Sequence, residues 1–143
     1  MATQAIERLV QLHKAIGHPV RLRLLAMLRG GPLCVCQMTG VVKLAASTVS
    51  EHLGELRRAG LVAERKNGRW VEYRLSDAEL LETSWSSLDD DPDVKADALI
   101  ARELRRISLD ELCATDLDLT RIDRPRLKSA VEKAERLRVE GRP

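Results

Sequence analysis

The fold is decided by residues 45–75, which read AASTVSEHLGELRRAGLVAERKNGRWVEYRL. In the first half, apolar residues recur at helical spacing up to Leu56, and Gly60 stands where a glycine commonly ends a helix. In the second half, apolar and polar residues alternate on both sides of Asn67 and Gly68, a pair that is the strongest short signal for a β-hairpin. The stretch therefore predicts a helix followed by a two-stranded hairpin.

Helical patterns surround this unit on both sides. The spacing of apolar residues predicts five further helices, over residues 3–15, 19–29, about 77–87, about 94–107 and 125–138. Pro19 suits the first turn of the second of these, and Ser76 with Asp77 can cap the third. Residues 108–123 have a mixed pattern that predicts no single element. We therefore expect a mainly α fold with a small β-hairpin, arranged as a winged helix-turn-helix.

The composition is that of one soluble domain. The chain has 143 residues, of which 44% are hydrophobic and 32% are charged, which is typical of a globular rather than a disordered protein. No apolar run approaches the roughly 18 residues that span a bilayer, and the first residues lack the apolar run of a signal peptide. We expect a cytoplasmic protein with no membrane partner.

The charge is unevenly distributed along the chain. Residues 1–76 carry 12 Lys and Arg against 5 Asp and Glu, a net charge of +7, whereas residues 77–143 carry 12 against 17, a net charge of −5. A basic half beside an acidic half suggests that the first half meets a polyanion.

Polar and basic side chains follow the predicted helix and the hairpin tip. In a winged helix-turn-helix the second helix enters the major groove, where its outer face contacts bases and phosphates. The candidate DNA-binding residues are Lys43, Ser47, Thr48, Ser50, His52 and Arg57 on or beside the helix, and Arg65, Lys66, Asn67 and Arg69 at the hairpin tip. Taken singly, each is equally consistent with a helix cap or a solvated cation. The joint pattern favours contact with double-stranded DNA.

Three cysteines are the second feature with a chemistry of its own. Cys34 and Cys36 are separated by one residue, and Cys113 lies far along the chain. Thiolates select soft, thiophilic ions over hard ones. Residues two apart on an α-helix point about 200° apart, so the pair cannot grip one small ion while the turn stays regular. Either the segment after Pro32 is already irregular, or binding must unwind it and so move the helix-turn-helix that follows.

Two stretches resemble the ArsR/SmtB family of metal-sensing bacterial transcriptional repressors. Residues 48–75 resemble its recognition helix and wing, and residues 15–38, AIGHPVRLRLLAMLRGGPLCVCQM, are similar to its second helix and thiol box. The resemblance implies a homodimer, paired through its first and last helices, that occupies operator DNA and releases it on binding a metalloid. Residues 1–90 would then form the DNA-binding and thiol-sensing domain, and residues 91–143 a C-terminal helical segment for dimerisation.

One position departs from the pattern of the family's arsenic sensors. These carry CxCxxC, and here Thr39 stands in place of the third cysteine. Cys113 of either subunit or an exogenous thiol can complete a three-sulfur site, or two thiolates suffice for a monosubstituted organic arsenical. Alternatively, Cys113 is a small buried apolar residue. The resemblance implies Cys34 and Cys36 as metal ligands and As(III) or Sb(III) as inducer, with no catalytic cofactor. Because Thr39 replaces the third cysteine, we add Cys113 as the candidate third ligand.

Other functions remain open at this point. The same residues fit a winged-helix regulator that responds to Cd or Pb, or one in which the thiols respond to oxidation. An enzyme is disfavoured because the sequence has no CxxC motif, no phosphate-binding loop and no evident acid/base pair.

Overall fold

A computed structural model of the chain describes residues 2–76 and 78–142. Its helices and strands are α1 (Ala2–Ile16), α2 (Pro19–Leu28), β1 (Leu33–Cys34), α3 (Val35–Val42), α4 (Ala46–Arg58), β2 (Val62–Asn67), β3 (Trp70–Leu75), α5 (Trp85–Asp90), α6 (Pro92–Leu104), α7 (Leu109–Ala114) and α8 (Pro125–Glu140), with short 3-10 turns at Glu79–Leu81 and Leu119–Arg121. The prediction of a mainly helical fold is confirmed. Within the described residues, no helix is long and apolar enough to cross a membrane.

The helix-turn-helix consists of α3 and α4, and the hairpin β2–β3 forms the wing. Lys43 ends α3 in the left-handed conformation, with φ of 57°. The three strands are antiparallel in the order β1-β3-β2, so the short strand before α3 pairs with the second strand of the wing. Asn67 lies opposite Trp70 at the tip of the wing, and Leu33 of β1 lies opposite Tyr73 along the other edge of β3. The predicted winged helix-turn-helix is confirmed.

A single hydrophobic core joins the two halves of the chain. Leucine is its commonest residue, and its members include Leu24 of α2, Leu53 of α4 and Leu104 of α6. α6 packs against α2 and α3 on one side and against α8 on the other. The core therefore runs across residue 90, where the functional division of the chain is predicted.

A buried ion cluster ties α2, α6 and α8 together. The carboxylate of Asp97 is 1% exposed, and it accepts two hydrogen bonds from Arg23, with Nε 2.7 Å from Oδ2 and Nη2 2.8 Å from Oδ1. Nη2 of Arg138 donates a third, at 2.8 Å. Burial raises the pKa of Asp97, whereas the bond from Arg23 works in the opposite direction. A carboxylate removed from water in this way depends on both guanidinium groups.

Two predicted elements differ from the structure. The helix expected over about 77–87 is wrong, because the structure has a 3-10 turn there and begins α5 only at Trp85. Of its expected cap, Asp77 lies outside the described residues. α6 begins at Pro92, ahead of the expected start, because the carboxylate of Asp91 accepts hydrogen bonds from the first free backbone N–H groups. Residues 108–123, left without an assignment, contain α7, which Ser108 caps.

Candidate functional site

The two neighbouring cysteines belong to different elements. Cys34 is the last residue of β1 and has an extended backbone, with φ of −85° and ψ of 160°, whereas Cys36 lies in the first turn of α3. The backbone N–H of Cys34 donates to Oε1 of Gln37 at 2.8 Å. Of the two alternatives that the spacing allows, the segment is therefore already irregular. The two thiols are not held two apart on one regular helix.

Cys113 lies beside Cys36 in the same chain. α7 places the two Sγ atoms 3.1 Å apart. Burial, followed by the hydrogen bond to Cys36, raises the pKa of Cys113 to about 12, and burial raises the pKa of Cys34. Both groups are consequently neutral thiols near pH 7, and a soft ion that binds them must displace their protons.

Two of the three cysteine sulfurs lie close enough together to bind one soft ion. Two thiolates that each lie about 2.3 Å from one ion can be at most about 4.6 Å apart, and the Cys36 and Cys113 sulfurs satisfy that limit. Among the described residues, no group of three or more His, Cys, Asp and Glu side chains is arranged to hold a metal ion. Cys34 would therefore have to move to complete a three-sulfur site.

The face of α4 that points away from the core carries most of the predicted reading residues. Ser47, Ser50 and Arg57 are exposed, and Thr48 is half-buried. Arg57 is not free, since its Nη1 lies 2.5 Å from Oε1 of Glu64 on the wing. At the turn before the helix, Lys43 is exposed.

His52 has a different environment from the serines. Its side chain is half-buried, its Nδ1 accepts a hydrogen bond from Nε of Arg21 at 3.1 Å, and its ring lies 4.4 Å from that of His18. Burial, His18 and Arg21 lower the pKa of His52. The histidine predicted to read DNA is thus also a contact between α4 and the start of α2.

The wing tip presents its cations to solvent. Arg65, Lys66, Asn67 and Arg69 are all exposed. The Arg69 guanidinium lies 5.3 Å from the centre of the Trp70 ring and also forms an ion pair with Asp110 of α7. Sequence analysis did not find Asp110, because nothing in the local pattern places α7 beside the wing.

Two connections link the thiols to the wing. Cys34 lies opposite Glu72, so its strand is bonded to the second strand of the wing. Cys113 and Asp110 share α7, and Asp110 contacts Arg69 at the wing tip. We expected metal binding to act on the helix-turn-helix through α3. The structure adds two connections from the thiols to the wing, one through the sheet and one through α7.

Sequence analysis also did not identify Arg105, whose hydrogen bonds hold the segment that leads into β1. Its Nη2 donates to the backbone oxygens of Met27 at 2.9 Å and Gly31 at 2.8 Å. These bonds anchor the end of α2 and the Gly30–Gly31 connection to α6. The position of β1, and with it Cys34, depends on this contact.

Comparisons with known proteins agree on one family. The family described as "Bacterial regulatory protein, arsR family" matches residues 18–64. An arsenic resistance transcriptional regulator of Pseudomonas putida is 41% identical over 63 residues, which are 43% of this chain and 49% of that protein. The arsenical resistance operon repressor of Escherichia coli is 35% identical over 83 residues, 53% of this chain and 71% of the repressor. This chain thus spans about half of the first relative and more of the second.

A solved structure supports the same relationship. HlyU from Vibrio cholerae superimposes with a TM-score of 0.53 and 35% sequence identity, covering 59% of this chain and 91% of that one. The shared architecture is the helical unit with its wing, and the remainder of this chain extends beyond it.

Proposed function

Because this chain belongs to the arsR family of bacterial regulatory proteins, we propose that it is a homodimeric, DNA-binding repressor induced by trivalent arsenic or antimony. Cys36 and Cys113 would bind the inducer, and Cys34 would join them where a third thiolate is required. The observation that carries the proposal is the 3.1 Å separation of two Sγ atoms from α3 and α7 in a chain with a winged helix-turn-helix.

The DNA-binding part rests on α4 and the wing. Ser47 and Ser50 are exposed polar residues near the start of α4, where a recognition helix contacts base edges. Arg65 and Lys66 project from the hairpin, where cations can neutralise phosphates. Thr48, Asn67 and Lys43 remain candidates for the same surface, as do His52, Arg57 and Arg69.

The dimer rests on the first helix. α1 exposes an apolar face in which Ile6 is 67% exposed, and Leu9 and Val10 are close to half exposed. Large apolar side chains grouped on one surface mark a site of association. Since the resemblance implies pairing through the first and last helices, we assign this face to a second copy of the chain.

The inducer part follows from the chemistry of the thiols. Trivalent arsenic and antimony are soft centres that bond to thiolate sulfur. Cys36 and Cys113 are positioned to supply two such sulfurs, which is the number that a monosubstituted organic arsenical requires. Cys34 would supply the third, and because it lies opposite Glu72, any shift of its backbone toward the ion would disturb the strand that pairs with the wing. Induction by inorganic arsenite would thereby be coupled to the wing.

The same distance favours a second candidate, a response to oxidation. A disulfide has a sulfur–sulfur bond of about 2.05 Å, so Cys36 and Cys113 need to approach by only about 1 Å. The bond would form as the two thiols give up two protons and two electrons to a hydroperoxide, whose O–O bond breaks to yield an alcohol and one water molecule. The raised pKa of Cys113 opposes this reaction, because the thiolate is the reactive form.

The experiment is a release assay with thiol variants. Fluorescence anisotropy would follow a labelled operator fragment under reducing conditions, titrated with phenylarsenite, arsenite, antimonite, Cd(II) and Pb(II). We expect phenylarsenite to release wild type and Cys34→Ser, but not Cys36→Ser or Cys113→Ser. Arsenite should require all three cysteines.

Other outcomes identify the alternatives. Release of Cys113→Ser by phenylarsenite as readily as wild type would refute the assignment of that ligand. Release only by Cd(II) or Pb(II) would show that one of these ions, and not arsenic or antimony, is the inducer. Release by hydrogen peroxide, reversed by a reductant and lost in Cys36→Ser and Cys113→Ser, would favour the oxidation response.

A further inference from the structure

A cavity beneath the turn of the helix-turn-helix is separate from the thiols. It has a volume of about 500 Å³ and lies between the α3–α4 turn, residues 116–120 and α8. Ligand pockets commonly have volumes of roughly 300–1,000 Å³. We propose that this cavity binds a small hydrophobic amine, as a second ligand site independent of Cys36 and Cys113.

The walls are apolar and come from distant parts of the chain. The residues that form them include Gly40, Leu44, Ile100, Leu117, Leu119 and Val131. A Cβ atom added at Gly40 would lie 3.3 Å from Cδ2 of Leu119. The glycine therefore lets α3 and Leu119 approach closely, and no side chain at this position fills the cavity. Walls of this kind can bury an aromatic or aliphatic body.

A buried hydroxyl group lies in the wall. Thr39 is only 7% exposed, and within the described part of the chain its Oγ1 has no hydrogen-bond partner. Buried polar groups in folded proteins nearly always have a partner, and leaving one unpaired costs free energy. Thr39 is also among the residues that line the cavity, so an occupant whose N–H group reaches Oγ1 after a small shift of the wall would supply the missing hydrogen bond.

The segment that closes the cavity is held in an unfavourable backbone conformation. Asp116 and Leu117 both have positive φ, of 52° and 64°, and both line the cavity. A leucine seldom adopts this region, because its side chain crowds the neighbouring backbone there. Conformations of this kind are concentrated at ligand sites, where the surrounding structure maintains them.

The charges at the rim select the type of ligand. Among the described residues, the lining has one cation, Lys43, against the carboxylates of Asp116, Asp118 and Glu135. Arg121 beside the rim pairs with Asp116, with Nη1 3.9 Å from Oδ2, so one net negative charge remains. Hydrogen bonds from Thr120 lower the pKa of Asp118, so that carboxylate is ionised at neutral pH. An apolar interior with an acidic rim favours a hydrophobic cation over an anion of the same shape.

The position of the cavity would connect the ligand to DNA binding. Its lining includes Ala45 and Ala46, the cap and first residue of α4. An occupant would therefore bear directly on the start of the helix that we assign to DNA recognition. The thiols are not part of the lining, so this site can be tested whether or not the arsenical proposal holds.

The first test compares three ligands of one shape on the full-length protein. Isothermal titration calorimetry would measure binding of 1-naphthylmethylamine, 1-naphthylmethanol and 1-naphthoate. We expect saturable binding with one site per chain, tightest for the amine and weakest for the carboxylate. Cys113→Ser should bind the amine as wild type does. Absence of saturable binding, or a preference for the carboxylate, would overturn the proposal.

Matched variants on α8 then test the location. Val131→Trp fills the cavity and should lower the affinity for the amine by at least about ten-fold, since the naphthyl ring loses its apolar contacts. Val139→Trp, on the same helix but 69% exposed, should bind as wild type. If Val131→Trp fails to fold by circular dichroism, Ala46→Phe fills the cavity from the opposite wall. Unchanged binding in a folded cavity-filled variant would refute the site.

A charge pair tests the choice of an amine. Glu135→Gln should lower the affinity for the amine about two- to five-fold, the range of an exposed ion pair, and leave the affinity for the alcohol unchanged. Glu132→Gln, on the same helix and outside the lining, is the control. An equal loss for amine and alcohol in Glu135→Gln would refute the charge argument.

Discussion

The arginines of this protein occupy two contrasting environments. Arg23 and Arg138 surround one buried carboxylate, Asp97, and join three helices. Arg65 and Arg69 extend from the wing into solvent, where Arg69 pairs with the exposed carboxylate of Asp110. The same side chain therefore holds the fold together in one place and is available to a polyanion in the other.

The difference lies in the desolvation of the partner. Removing a guanidinium from Asp97 would leave a buried charge uncompensated, whereas a surface ion pair is replaced by water at little cost. Total charge cannot distinguish the two groups, and neither can local sequence. The following predictions test this contrast, in order of decreasing effect.

Removal of the shared carboxylate should have the largest effect. Asp97→Ala leaves Arg23 and Arg138, whose side chains are 22% and 21% exposed, without the carboxylate that they share. We expect a loss of about 3 kcal/mol in the free energy of unfolding, the lower end of the range for breaking a buried ion pair. Asp93→Ala is a matched control, because Asp93 also pairs with Arg138, at 3.3 Å, but is 56% exposed. That substitution should cost less than about 1 kcal/mol.

Urea denaturation followed by circular dichroism measures both values. Equal losses for the two variants would show that the Asp97 cluster is no more important than a surface pair, and the contrast would fail.

Cations on the wing should affect DNA affinity rather than stability. In a homodimer, Lys66→Ala and Arg69→Ala should each flatten the dependence of log K on log salt by about two, because each removes one phosphate contact from both subunits. Affinity should fall on all DNA sequences alike. Lys133→Ala, an exposed cation on α8, should leave the slope unchanged. Anisotropy titrations over a series of salt concentrations provide the measurement, and an unchanged slope in both wing variants would remove the wing from the interface.

The Arg69–Asp110 pair should have a smaller effect. Asp110 competes with phosphate for the guanidinium, so Asp110→Asn should tighten DNA binding by about two- to five-fold at low salt. Asp123→Asn, an exposed aspartate that pairs with Lys128, is the control. In the Arg69→Ala background, Asp110→Asn should have no effect. An equal gain there would show that Asp110 acts through general charge.

His52 should produce the smallest effect, visible in the pH dependence of stability. Its pKa in the folded chain lies below its ordinary value of 6.5, because of burial, His18 and Arg21. The unfolded chain therefore takes up the proton first, and stability falls as the pH drops from about 6.5 through the folded pKa. Melting temperatures measured from about pH 8 to about pH 5 should show this decline in wild type and lose it in His52→Gln.

A control separates His52 from histidines in general. His13→Gln removes an exposed histidine of α1 and should retain the decline. A decline that persists in His52→Gln would assign it to other groups.

Sequence reasoning succeeded where the signal is local. The helix ending before Gly60, the Asn67–Gly68 hairpin and Pro19 at the start of α2 follow from periodicity and backbone preferences over a few residues. The binding of a soft ion by Cys34 and Cys36, which was inferred from the residue types, stays a prediction.

Other features depend on contacts between distant residues. Cys113 and Cys36 are separated by 77 positions, and no pattern in residues 108–123 shows that α7 lies against α3. His52 was grouped with the serines by helical spacing, although its ring packs toward α2. The prediction of one helix over about 77–87 was wrong, because this stretch forms a 3-10 turn followed by the start of a short helix.

The Asp97 cluster has a consequence for exchanging parts between relatives. Arg23 lies within residues 18–64, the segment matched by the arsR family, whereas both of its charged companions lie outside it. A chimera cut at the borders of that segment would transplant a cation without its anion. A graft that also carries Pro92–Glu140 would move the complete cluster. The smallest interchangeable unit of this protein is therefore larger than the segment that identifies its ancestry.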